Sequence, residues 1–368
     1  MIKKRVLVFI FSVIAILQTG YTQEKRSEAE NIFLRGFQMA EDGKIDKGLM
    51  LMEEAMEMEP DNLDFAYEVA YFYTVLERHG DAIEILEKLV KRKDCPDIAY
   101  QMLGNNYDFD GDPKKAIETY KAGLKRFPKS GKLYLELGNM ESQTKNYKKA
   151  LGFYEQGIKV EPYFPSNYIN AATLHMLAGD KFLAIMYSEI FMNLERDTKR
   201  TVLASNYILN FYNSAFSLST DSTGKKNIGI RYSGLVDSLA NPLDSSNRGN
   251  LFKGIMVYFF LIECLNNENE ISFESVCRIR ENILNEFYDT GLDKTYYNAV
   301  FDWQKQLKDK GLFNAYNHWI MSLSDMESFK KWSDNNNAEA VEFLNWYESK
   351  GIPLEGKDGA LFIKFGED

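Results

Sequence analysis

Cysteine, histidine and proline are scarce in this chain, with three, three and eight among 368 residues. Cysteines at positions 95, 264 and 277, with no Cys-x-x-Cys, cannot build a disulfide framework or a cysteine-based zinc module. Cys264 and Cys277 are near enough in sequence to pair, yet a buried free thiol is the commoner state of isolated cysteines in a helical protein. The three histidines form no His-Glu-x-x-His. There is also no Gly-x-Ser-x-Gly, phosphate loop or dinucleotide fingerprint. His79 falls at a turn, His175 stands where an aromatic packing residue belongs, and His318 lies beside Trp319 with no nucleophile motif near it. Asp108-Phe109-Asp110-Gly111-Asp112 looks like the start of a calcium loop. The sixth and twelfth places, however, hold Pro113 and Thr119 where Gly and Glu are required. Carboxylates are plentiful, but no spacing singles out a pair for glycosidic chemistry. The reading is a protein that is not an enzyme, with no metal and no cofactor.

Positive charge is short as well. The formal net charge is −10. An acidic protein repels phosphate backbones, which argues against nucleic acid and anionic lipid as partners.

A long apolar run is also missing. The best stretch, Val6 to Leu17, is twelve residues interrupted by Ser12. A membrane-spanning helix needs roughly 18 or more. Lys3, Lys4 and Arg5 precede the run, and the polar Gln18-Thr19-Gly20-Tyr21-Thr22 follows it. That order is a secretory signal peptide over residues 1–22, with cleavage expected after Thr22. No cysteine lies nearby to be acylated. The expectation is an exported chain, periplasmic or cell-surface-associated, with no stable membrane insertion after cleavage. Removing the three cations makes its charge about −13 by the same count.

What the chain has is a repeat. Frames of 34 residues begin at Ala29, Leu63, Asp97, Gly131 and Pro165. The eighth place reads Gly36, Ala70, Gly104, Gly138, Ala172; the twentieth reads Gly48, Ala82, Ala116, Ala150, Ala184. All ten are small, as two closely packed antiparallel helices require at their crossing. Larger residues recur around them: Tyr100, Tyr134 and Tyr168 at the fourth place, Leu103 and Leu137 at the seventh. Tyr73 and Tyr107 hold the eleventh, and Leu86, Tyr120 and Tyr154 the twenty-fourth. Gly43, Gly111 and Gly179 mark the fifteenth place, where a first helix ends, and Pro60, Pro128 and Pro162 mark the stop of a second.

These spacings resemble the tetratricopeptide repeat, most completely in Tyr100-x-x-Leu103-Gly104-x-x-Tyr107…Ala116…Tyr120…Pro128. The resemblance covers roughly residues 29–198. It implies an all-α, right-handed α-α superhelix of about five helix pairs that holds peptides or protein partners. The fifth window carries Ser188 and Arg196 in place of an aromatic and Pro, so its second helix is expected to deviate. In the family the fifth, ninth and twelfth places of each first helix face the groove. That implies a peptide-binding face containing Phe33, Phe37, Tyr67, Tyr71, Gln101, Asn105, Asp108 and Asn139, with Ala40, Thr74, Leu135 and Ser142 also on the stripe. No fifth place holds Lys, so the family's clamp for a chaperone's C-terminal carboxylate is absent.

Thr201 to Phe216 reads as a capping helix, which closes an array over 23–216. Residues 217–250, rich in Ser, Asn, Gly and Asp, read as an irregular linker. Residues 251–368 read as a helical C-terminal domain that no longer repeats at 34. It begins with an uncharged helix over Gly254–Ile262 and ends with a strand-like Leu361–Phe365. All four tryptophans, Trp303, Trp319, Trp332 and Trp346, sit there. Such rings either fill a core or line a ligand site such as a sugar platform. The functional reading is an exported interaction scaffold that binds an extended peptide or protein segment. The alternative is a carbohydrate-binding or glycan-handling protein using the tryptophans.

Overall fold

A computed structural model of the protein describes residues 27–196, 198–230, 270–294 and 296–354, with Met256, Phe259 and Glu268. The stretch read as a signal peptide, Cys264, most of the helix read over 254–262 and the tail read as strand-like lie outside the described residues. The chain divides into two compact units, residues 1–128 and 129–368.

The first unit is three helix pairs. α1 (Glu28–Glu41) packs on α2 (Ile45–Met58), α3 (Leu63–Val75) on α4 (His79–Leu89), and α5 (Asp97–Phe109) on α6 (Pro113–Arg126). Helix starts are written in local chemistry. Ser27 and Glu30 form a reciprocal capping box, Asn62 accepts from the amides of Asp64 and Phe65, and Asp112 caps α6 ahead of Pro113. The small residues sit where helices cross. A Cβ added at Gly36 would meet the Gly48 carbonyl oxygen at 2.6 Å, and one at Gly48 would meet the Ala40 nitrogen at 2.7 Å. Each first helix ends in a left-handed residue. Gly43 and Gly111 have φ of 84° and 87°, and Glu77 takes the same place at 61° although it is not glycine.

Neighbouring pairs are tied by a repeated contact. The Tyr73 hydroxyl donates to the Glu53 carboxylate, and Tyr107 does the same to Glu87, an eleventh-place tyrosine reaching a twenty-fifth-place glutamate each time. Burial, reinforced by these acceptors, pushes both phenols up to about 12. Asn106 is fully buried and donates to Thr74 Oγ1 at 2.8 Å and to the Met102 carbonyl at 2.9 Å; His79 Nδ1 lies 3.0 Å from its Oδ1.

The second unit continues with α7 (Gly131–Gln143) on α8 (Tyr147–Val160), α9 (Pro165–Leu177) on α10 (Lys181–Leu194), and α11 (Lys199–Ala215). His175, at the eleventh place, lies 3.7 Å from Glu155 at the twenty-fifth without a hydrogen bond to it, and the Tyr187 hydroxyl donates to Glu155 at 3.4 Å instead. α10 does not deviate. It is a regular 14-residue helix, and every residue from Phe182 to Asn193 is buried. Ser188, in place of the aromatic at the twenty-fourth place, is buried and donates to the Ala184 carbonyl at 2.7 Å, while Glu189 keeps the twenty-fifth-place glutamate of Glu53, Glu87 and Glu155.

The stretch read as irregular begins with a β-hairpin, β1 (Phe216–Thr220) against β2 (Lys226–Ile230), antiparallel with Thr220 opposite Lys226. Asp221 closes its turn by accepting from the amides of Thr223 and Lys225 at 2.9 and 3.0 Å, and Gly224 supplies a φ of 84°. Among the described residues after it, five further α-helices are bounded: α12 (Phe273–Asp289), α13 (Ala299–Asp309), α14 (Phe313–Met321), α15 (Met326–Asn335) and α16 (Asn337–Glu348). Their lengths keep no 34-residue rhythm. Their buried faces and those of α9 to α11 form one apolar core. Among the described residues are sixteen α-helices, one short 3-10 helix (Leu292–Lys294) and one hairpin, an all-α fold built of consecutive pairs.

Candidate functional site

The residues read as a binding face divide by packing. In the first unit Phe37, Tyr67, Tyr71, Gln101, Asn105 and Asp108 are half-buried, as lining residues of a shallow face are. Phe33 is not one of them. It is 8 % exposed and its ring stacks on Phe65 at 4.4 Å, so it belongs to the packing between the first two repeats. Phe37 meets Phe72 edge-on at 5.7 Å, which fixes the ring that remains partly open. Thr74 is also engaged, donating to the Ala70 carbonyl at 2.8 Å while accepting from Asn106.

On α3 the stripe Asp64, Tyr67, Glu68, Tyr71 follows helical spacing, so these side chains are neighbours on one face. Glu68 was not singled out in the sequence, because the groove positions are the fifth, ninth and twelfth and it is the sixth. It is half-buried and makes no hydrogen bond or ion pair among the described residues. Burial, with the like charge of Asp64 one turn away, pushes its carboxyl up to about 7. Burial and the nearby Glu68 push the Tyr67 phenol up to about 12.

The amides are less free than their spacing implied. Asn105 Oδ1 accepts from the Tyr120 hydroxyl at 2.6 Å. In the second unit Asn139 Oδ1 accepts from the Tyr154 hydroxyl at 3.0 Å and the Asn170 amide at 3.3 Å, while its Nδ2 donates to Glu136 at 2.9 Å. The ninth-place asparagine therefore anchors the twenty-fourth-place tyrosine of its own repeat.

Trp303 and Trp332 are core, and Trp319 and Trp346 are half-buried against it. Trp303 is 2 % exposed, donates from Nε1 to Asn193 at 3.0 Å and stacks on Trp346 at 5.4 Å. Trp332 is buried against His318 with ring centroids 4.1 Å apart; Trp319 and Trp346 pack on the same cluster. A flat ring offered to a sugar is not what these contacts make.

Two constellations in the second unit escaped the sequence. Glu189, fully buried on α10, accepts from Arg280 at 2.9 Å, Gln304 at 2.7 Å and the Tyr316 hydroxyl at 3.0 Å. Burial alone would lower the Arg280 pKa; Glu189, together with the Tyr212 and Tyr316 phenols, outweighs it and holds the guanidinium charged. A single acid in the apolar run Phe182–Leu194 was the available signal. The second brings Cys277 Sγ to 3.8 Å from His318 Nδ1, with His318 Nε2 3.1 Å from Glu274. The order Cys, His, carboxylate looks like a nucleophile with its base, but Nδ1 is 2.8 Å from the Asn314 carbonyl and burial pushes the thiol far above its usual range. An unionised thiol sealed from solvent is packing. Cys277 is free, and so is the buried Cys95. Among the described residues no cluster of His, Cys, Asp and Glu fits a metal ion, and no helix is long and apolar enough to cross a membrane.

Tetratricopeptide-repeat family models match residues 39–105 and 102–160. Residues 39–160 of the chain are tetratricopeptide repeats. The matched stretch runs from the end of α1 through α8 and holds seven of the ten Gly/Ala positions. Among solved structures of tetratricopeptide-repeat proteins, it is similar to TTC0263 of Thermus thermophilus, at 21% identity and a TM-score of 0.40, covering 49% of this chain and 99% of that one. It is also similar to YrrB, a repeat protein with an unusual peptide-binding site, at 14% identity and a TM-score of 0.33, covering 54% and 98%. A third likeness is to pilF of Pseudomonas aeruginosa, at 15% identity and a TM-score of 0.40, covering 50% and 90%. No curated protein matches the chain.

Proposed function

We propose that this repeat protein is an exported interaction scaffold that holds an extended segment of a partner protein along the first helices of its repeats. The observation that carries the reading is the half-buried series Phe37, Tyr67, Tyr71, Gln101 and Asn105 in the first unit, where partly open rings adjoin amide groups. Rings offer apolar pockets, and amides donate to and accept from an extended backbone. Export rests on the first 22 residues alone. Nothing favours the glycan reading, since the tryptophans it needs are packed.

A photo-crosslinking amino acid placed in turn at Tyr71, Asn105 and the exposed Lys121 of α6 tests the reading in cells. Discrete adducts of one protein from positions 71 and 105, absent from 121, are expected. Adducts from 121 alone, or an equal yield from all three, would place the partner elsewhere.

A further inference from the structure

Glu68 is anomalous on the binding face. A carboxylate withdrawn from water normally acquires a cation or donors, because burial of an unpaired charge is costly. Glu68 has neither among the described residues, and the charged neighbour that faces it, Asp64, is of the same sign. It is flanked at one and three residues by Tyr67 and Tyr71, both half-buried, and Asp64 stands four residues back on the same stripe. A half-buried carboxylate that shares a helix face with two phenols, and acts electrostatically on both, is complementary to one class of group. A guanidinium or ammonium would pair with the carboxylate and lie against the rings, whose faces attract cations, while its aliphatic stem covers apolar surface. The overall charge of −10 works in the same direction at long range.

We propose that Glu68, with Tyr67 and Tyr71, is a specificity pocket for a positively charged side chain, Arg or Lys, of the bound partner segment. The proposal rests on the binding-face reading above. It makes that reading selective: the first unit captures segments in which a basic residue lies among apolar ones. The raised carboxyl pKa fits a carboxyl with no counter-ion among the described residues, a cost that an incoming cation would relieve by favouring the ionised form.

Four short-peptide libraries test it, identical except for a fixed central Arg, Lys, Gln or Glu, titrated against the full-length protein and its Glu68→Gln variant. Thermal unfolding confirms that the variant is folded. The Arg and Lys libraries are expected to bind about tenfold tighter than the Gln library, with the Glu library weakest. Glu68→Gln should abolish that preference, bringing the Arg and Lys libraries to the affinity of the Gln library. Equal binding by all four libraries, weakened by Tyr67→Ala, would overturn the pocket and leave the binding face standing. A basic preference that survives Glu68→Gln would trace it to diffuse charge and overturn the pocket too. Binding by none would overturn both the pocket and the face.

Discussion

The Tyr120 hydroxyl donates to Asn105 Oδ1 at 2.6 Å across the hairpin of α5 and α6, while the ring of the same tyrosine lies over Gly104. A Cβ at Gly104 would come within 2.6 Å of Tyr120 Cζ, so the glycine makes the space and the asparagine fixes the ring in it. The next repeat reproduces the arrangement with Gly138, Asn139 and Tyr154. Asn105 thus has a structural duty alongside any contact with a ligand. Tyr120→Phe and Asn105→Ala are each expected to cost about 1 kcal/mol, and the double variant less than the sum, because both remove one bond. Additive losses in chemical denaturation would show the two groups to be uncoupled. Binding measured on Asn105→Ala must therefore be read against its lowered stability.

The small residues of the repeat are not equivalent. Gly36→Ala and Gly48→Ala would drive a methyl into the backbone of the facing helix, and each is expected to destabilise by about 2 kcal/mol or more. Gly152 lies on the exposed side of α8 with nothing within 4 Å of an added Cβ, so Gly152→Ala should stabilise by about 0.5–1 kcal/mol. At the fifteenth place the sign reverses. Glu77 and Lys145 hold φ of 61° and 62° where three other repeats use glycine, so Glu77→Gly and Lys145→Gly should each gain about 1 kcal/mol. Thermal unfolding of the five single variants checks the series, and a gain from Gly48→Ala would refute its logic.

The helix pairs were legible because their requirements are local and periodic. Gly at eight, Ala at twenty and aromatics between them recur at 34 whatever lies outside the repeat. The fate of Asn105 was not legible, since a ninth-place amide looks the same whether it meets a ligand or the tyrosine fifteen residues on. The hairpin at 216–230 was hidden by composition: Ser, Thr, Asn and Gly signal a break, and only Asp221 and Gly224 encode the turn. Glu189 reads as an exception in an apolar helix until Arg280, 91 residues later, is placed beside it. Such pairings are written in the fold, not in spacing.

That buried pair ties the last repeat to the helices beyond it. Arg280→Met strands Glu189 with Gln304 and Tyr316 as its remaining donors, and should cost about 3–5 kcal/mol. Arg280→Met combined with Glu189→Met removes both charges and should recover much of the loss. Denaturant midpoints of the two variants and the parent decide it; a double variant no more stable than Arg280→Met would count against a charge-burial cost.

Export is checked on the protein itself. Mass spectrometry of chain recovered from outside the cytoplasm is expected to show a mature form beginning at Gln23 without a lipid adduct. An intact Met1 on that material would remove the signal-peptide reading.

Glu68 also links the candidate pocket to stability. Its pKa in the folded protein is about 7, against 4.5 for an unperturbed carboxyl, so the folded state holds this proton more tightly than the unfolded chain does. For a raised pKa the stability is fully present below pH ~4.5 and is lost as pH rises toward ~7. The side chain therefore destabilises the fold at neutral and alkaline pH, by about 1–3 kcal/mol once partial exposure is allowed for. Glu68→Gln cannot ionise and should escape that cost. Its unfolding midpoint should lie above the parent's at pH 8 and close to it at pH 4, with the gap opening between the two pKa values. A uniform gap at all pH values would mean the substitution acts through packing. A lower midpoint at pH 8 would mean that the ionised carboxylate is stabilised by a partner, which removes the reason for reserving it to a ligand's cation.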